Sequence, residues 1–189
     1  MSDLVLTEEQ QLLQSTAADF ARQSLPVSRL RALRETGDGF SRDLWREMGN
    51  LGWPGMLLPE EYGGLGLGYA DAVVVLEELG KVLAPEPFLS TVLLAGNAVL
   101  LGGSAAQKQE ILPRVASGEA VLAFAHHEPR ARHRMHHVTT RAAAQSDGSF
   151  TISGVKDVVL DGTAAERLVV SARTSGGNDD RDGISLFLV

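Results

Sequence analysis

The chain has 189 residues, with 24 acidic against 17 basic side chains and a net charge of −7 with histidines neutral. That balance excludes the basic footprint of nonspecific nucleic-acid binding, and the absence of cysteine excludes disulfides, thiolate metal sites and a cysteine nucleophile. No apolar run approaches the ~20 residues of a membrane span, and the opening MSDLVLTEEQ lacks a basic stretch followed by an apolar one, so a cytoplasmic protein is expected.

The first 118 residues read as helical. Thr7 with Gln10 fits a capping box, and Leu13, Ala17, Phe20 and Ala21 recur at helical spacing until Leu25, where Pro26 closes the run. A shorter helix is expected over Ser28–Arg34, ended by Gly37 and Gly39. Ser41 can cap a third, with Leu44, Trp45, Met48 and Leu51 on its apolar side. A loop with glycines at 55, 63, 64, 66 and 68 follows. Asp71 is then expected to start a helix that is apolar over much of its circumference and so central in its bundle. Pro85 and Pro87 break it, Phe88–Leu101 forms the next, and Ser104 with Gln107 caps the last, AAQKQEILPRVASG.

After Gly118 the periodicity shortens towards two and β-branched residues take over. Strands are expected over Ala120–His127, Val138–Ala144, Ser149–Val155, Arg167–Arg173 and Ile184–Val189. Ser146-Asp147-Gly148 and Asp161-Gly162 read as hairpin turns, and GGNDDRDG at 176–183 as a solvated loop. The class is therefore α+β: a helical bundle followed by an antiparallel β region.

Two blocks carry a more specific signal. GWPGMLLPEEYGGLGLGYADAVVVLEELGK, from Gly52 to Lys81, and AQKQEILPRVASGE, from Ala106 to Glu119, together resemble the acyl-CoA dehydrogenases, flavoenzymes that oxidise acyl-CoA thioesters. The resemblance runs over essentially the whole chain. It implies an N-terminal helical domain over 1–118 and an incomplete middle β domain over 119–189. In the family more β structure and a C-terminal four-helix domain follow, with the glutamate base and much of the subunit interface, and the final ISLFLV reads as a strand that simply ends. We therefore expect a piece of a longer protein, inactive alone. Glu60 and Glu61 read as cap or turn residues, not as the base. The glycine loop lacks the Gly-Lys-Ser/Thr ending of a phosphate cradle; its glycines serve backbone angles and close chain packing.

All five histidines fall between His126 and His137. A shared metal site is one reading, but adjacent strand histidines face opposite ways and the interleaved arginines repel a cation. A solvated cationic loop is another. The resemblance supplies a third, through the family pattern aromatic-x-x-Thr-Glu-Pro-x-x-Gly-Ser, matched here by Phe124 and Glu128-Pro129. It implies cofactor contacts from Phe124, His126, His127 and His133, with His127 in place of threonine and His133 near the usual serine. His133 and Arg132 are also implied substrate contacts. The family's Gly-x-Lys-x-Trp-Ile-Thr-Asn-Gly appears as Gly154–Gly162, so Val158 stands where a tryptophan backs the flavin and Leu160 where a threonine is usual.

The resemblance thus implies FAD, an acyl-CoA substrate, an acceptor such as an electron-transferring flavoprotein, and a homo- or hetero-oligomer with no nucleic acid or membrane partner. The alternative is a catalytically degenerate, flavin-poor subunit of a heteromeric enzyme. The run Glu128-Pro129-Arg130-Ala131-Arg132 with Val138-Thr139-Thr140 is similar to the branch acting on steroid side-chain thioesters. Arg130, Arg132, Arg134 and Arg141 read either as phosphate ligands or as soluble surface.

Overall fold

The computed structural model describes residues 5–35 and 39–189. Its helices are α1 (Glu8–Ser24), α2 (Val27–Leu33), α3 (Arg42–Asn50), α4 (Tyr69–Lys81), α5 (Asn97–Gly102) and α6 (Ala105–Ala116). A nine-residue π-helix, Phe88–Gly96, leads directly into α5, where the sequence reads as one continuous α-helix. Each expected cap forms. Thr7 and Gln10 exchange hydrogen bonds at 3.2 Å, Ser41 accepts from the Leu44 N–H, and Ser104 pairs reciprocally with Gln107. The helix expected to start at Asp71 starts two residues earlier. Asp71 is instead its third residue, and its carboxylate accepts the Gly68 N–H at 2.9 Å. Gly37, read as a helix end, lies outside the described residues.

Ala17, Ala21, Trp45, Met48, Trp53, Met56, Val75 and Leu79 form the main helical core. The helix expected to be central is half-buried, since Val73 on α4 is 59% exposed. The glycine loop is built on contact and backbone angle. Gly63 and Gly66 sit at φ +77° and +63°, and a Cβ on Gly64 would lie 2.0 Å from the Leu58 carbonyl oxygen. Glu60 and Glu61 occupy an exposed 3-10 turn in this loop.

Five strands follow: β1 (Leu122–Ala125), β2 (Arg141–Ala144), β3 (Phe150–Ser153), β4 (Arg167–Arg173) and β5 (Ile184–Leu188). The α+β class holds, but the sheet is mixed, not antiparallel. β1 runs parallel to β4, with Leu122 opposite Arg167, and β2 meets the far end of β4 in parallel through Arg141 and Arg173. The 41 residues between β1 and β4 include the whole β2–β3 hairpin, ample length for a parallel crossover. Ser146-Asp147-Gly148 makes the expected hairpin turn, closed by Asp147 accepting the Ser149 N–H. Asp161-Gly162 turns the chain on the crossover and joins no hairpin, because β3 and β4 do not pair.

A second core of Leu58, Val99, Ile111, Leu112 and Val115 includes Leu122 and Val169, so the helices and the sheet share buried surface. Thr91 fixes that junction: its buried hydroxyl donates to the Leu122 carbonyl at 3.0 Å and accepts the Leu122 N–H at 3.1 Å. Among the described residues no helix is long and apolar enough to cross a membrane.

Candidate functional site

The residue that organises the histidine segment is Glu128, 0% exposed. Its carboxylate accepts the Thr139 N–H at 2.7 Å, the Thr139 hydroxyl and the Thr140 N–H at 3.0 Å. It also receives the Lys156 Nζ at 2.8 Å. Lys156 in turn donates to Ser171 Oγ at 2.9 Å on β4. Burial pushes the Glu128 carboxyl up, but the hydrogen bonds from Lys156, Thr139 and Thr140 outweigh it and hold the group well below the usual carboxylate range. Burial also lowers the Lys156 ammonium, against the raising effect of Glu128. A buried pair is stable only when its remaining donors and acceptors are met, and here they are.

This pair draws together two stretches about 30 residues apart in sequence. The Asp157 N–H donates to the His127 carbonyl at 2.9 Å, so residues 156–158 run beside 126–128. Phe124 and His126 stack with centroids 5.0 Å apart; His127 stands edge-on to His126 at 6.5 Å and 5.7 Å from His133. His126, His127, Ala131, His133, Arg134 and Met135 line a cleft of about 70 Å³.

The Nδ1 atoms of His126 and His127 are buried and without a hydrogen-bond partner among the described residues. An unpaired acceptor costs less there than an unpaired N–H, which favours the tautomer with the proton on Nε2. Each is then a donor through Nε2. Among the described residues no three His, Asp or Glu side chains converge to hold a metal ion.

The segment after Gly154 is strained and open. Val158 lies at φ +49° and Asp161 at +54°, and a left-handed β-branched residue is a genuine outlier. Val155, Val158 and Leu160 are 65%, 72% and 46% exposed. None of the three carries a hydroxyl, as their residue types dictate. The structure thus gathers Phe124, His126, His127 and His133 in one cluster and sets the Val158 segment beside it through backbone. Arg132, at φ +48°, is exposed and brought to no partner among the described residues. Two of the four arginines are occupied by the 176–183 loop: Arg134 pairs with Asp179 at 2.9 Å, and Arg141 donates to the Gly176 carbonyl and to Asn178.

Arg173 was legible only as a strand residue, yet it ties the end of the histidine segment to the 176–183 loop. It is 1% exposed and donates to backbone carbonyls of His136, Val138, Asn178, Asp180 and Asp182. The loop read as solvated is exposed from 176 to 182, with backbone carbonyls turned onto a guanidinium. Its one outward signal is a lone arginine closing the apolar run LVVSA.

Residues 7–119 match the profile of the acyl-CoA dehydrogenase N-terminal domain. The chain belongs to the acyl-CoA dehydrogenase family. It is 32% identical over 188 residues to the mitochondrial isovaleryl-CoA dehydrogenase of Pongo abelii, covering 97% of this chain and 44% of that protein. Butyryl-CoA dehydrogenase from Megasphaera elsdenii superposes with a TM-score of 0.84 at 28% identity, over 99% of this chain and 49% of that one. The Tcur3481-Tcur3483 steroid ACAD superposes with a TM-score of 0.83 at 30% identity, over 99% and 49%. The chain thus spans about half the length of the acyl-CoA dehydrogenases it matches.

Proposed function

We propose that this chain forms the helical part, residues 1–118, and a portion of the β part, from 119, of a flavin-dependent acyl-CoA dehydrogenase-type enzyme. The enzyme introduces a Cα–Cβ double bond into an acyl-CoA thioester. FAD, when bound, supplies the acceptor for the hydride leaving Cβ. The observation that carries this reading is the buried Glu128–Lys156 pair. It brings the two motif segments that would flank a flavin ring onto one surface.

The residues present fit a flat heteroaromatic ring in part. His126 and His127 offer Nε2–H donors to its heteroatoms, and Val158 with Leu160 an apolar wall smaller than an aromatic one. His133 lines the cleft, and in this reading it and the exposed Arg132 meet the polar end of cofactor or thioester.

The proton leaving Cα needs a carboxylate within hydrogen-bond reach. Glu128 cannot serve, because it is closed from solvent and Lys156, Thr139 and Thr140 hold it as a weak base. Glu60 and Glu61 stand on the exposed loop turn. The family resemblance assigns the base to another part of the enzyme and makes an electron-transferring flavoprotein the expected acceptor.

A second reading rests on Val158 and Leu160, which supply neither an aromatic wall nor a hydroxyl. In it the chain belongs to a flavin-poor subunit completing a shared site in a heteromer. The full-length protein, purified alone and mixed anaerobically with acyl-CoA thioesters of several chain types, separates the two. Reduction of an added electron acceptor supports the first reading. Activity that appears only with a co-expressed second subunit supports the second, and none in either case refutes both.

A further inference from the structure

Between Lys156 and Asp161 the chain is held by its two ends. Lys156 ties the upstream end to Glu128 and Ser171. At the downstream end the Asp161 carboxylate accepts the Ser90 hydroxyl at 2.5 Å. Ser90 is 0% exposed, on the first turn of the π-helix, and its hydroxyl also lies 3.2 Å from the Pro87 carbonyl. The Asp161 carbonyl accepts the N–H groups of Ala164 and Ala165, which pack against the helical core.

Between these anchors sits Val158, left-handed at φ +49° and 72% exposed. A strained residue that buries little of itself gains no packing in return, so its conformation persists only because its surroundings impose it. A π-helix is itself uncommon and tends to occur at functional sites.

We propose that Ser90 is a positioning residue for the cofactor: through Asp161 it clamps the 155–161 wall to the π-helix, so that this wall and the helical domain hold one fixed relation. The inference rests on the reading that residues 155–161 face a flavin. The hydroxyl has a single proton for two acceptors, Pro87 O and the Asp161 carboxylate. Asparagine at 161 resolves that competition, because its amide can donate to Ser90 Oγ while Ser90 donates to Pro87. It also tolerates the left-handed backbone.

The test compares wild type, Ser90→Ala and Asp161→Asn in the full-length protein by two readouts. The first is amide hydrogen exchange over residues 155–164 without flavin; the second is FAD affinity by fluorescence titration. Ser90→Ala should speed exchange there about tenfold and weaken FAD binding about tenfold, the loss of one strong hydrogen bond. Asp161→Asn should stay within about twofold of wild type in both. Unchanged exchange in Ser90→Ala, or equal loosening in Asp161→Asn, overturns the clamp. Faster exchange with unaltered FAD affinity overturns the positioning role and leaves a structural one. A wild-type protein that binds no FAD refutes the functional reading and the positioning role together, while the exchange data still decide the clamp.

Discussion

Replacing Lys156 by methionine removes the ammonium but keeps a side chain of comparable length in its place. Glu128 would then remain 0% exposed as a carboxylate whose countercharge is gone, with only Thr139 and Thr140 still donating to it. Breaking a buried pair from one side costs about 3–5 kcal/mol. The three surviving donors place this case at the lower end, about 3 kcal/mol, still a large share of a typical 5–15 kcal/mol total. Adding Glu128→Gln removes the stranded charge and should recover about 2 kcal/mol of that loss, because a neutral amide costs far less to bury than an unpaired carboxylate. Urea unfolding of wild type, both single variants and the double variant, followed by tryptophan fluorescence and far-UV circular dichroism, measures the cycle. Additive effects, or a Lys156→Met loss below about 0.5 kcal/mol, would refute the claim that this pair joins the two segments.

Three further outcomes are expected. Gly66→Ala, at φ +63° with nothing within 4 Å, should cost about 1 kcal/mol, whereas Gly64→Ala, 2.0 Å from the Leu58 carbonyl, should cost several times more in the same unfolding assay. Arg173→Met should cost at least about 3 kcal/mol and expose 175–183 to proteolysis, since its carbonyl partners lose a shared donor; protection equal to wild type would contradict this. The Glu128 carboxyl is depressed in the folded state, so its contribution is fully present above the unfolded value near ~4.3. That contribution fades as pH falls through the lower folded value. Thermal melts of wild type should therefore lose stability more steeply below about pH 4.3 than melts of Glu128→Gln.

Much of the helical half was legible because its signals are local. Thr7, Ser41 and Ser104 cap helices through side chains three residues from their partners, and that spacing is written in the chain. The β half was harder to read. Strands shrank to four residues at β1, β2 and β3, because β-branched and apolar content marks burial without stating which neighbour pairs. Parallel pairing of β1 with β4 depends on a partner far along the chain, and alternation alone does not encode it.

The candidate site divides in the same way. His126, His127 and His133 do gather around one cleft, with Phe124 stacked on His126, and both Glu128 and Lys156 stood inside matched motifs. Neither motif stated that the two residues pair with each other. Arg173 gave almost no signal, since a buried guanidinium satisfied by backbone carbonyls needs no acidic partner to announce it. The strain at Val158 was likewise invisible, because valine is among the last residues a left-handed position would suggest.

The most direct test of the whole account is bound flavin in the full-length protein, measured by visible absorbance and by release of the cofactor on denaturation. Bound FAD, acquired alone or with a second subunit, is the predicted result. A protein that remains colourless in both preparations and takes up no FAD on titration would contradict it.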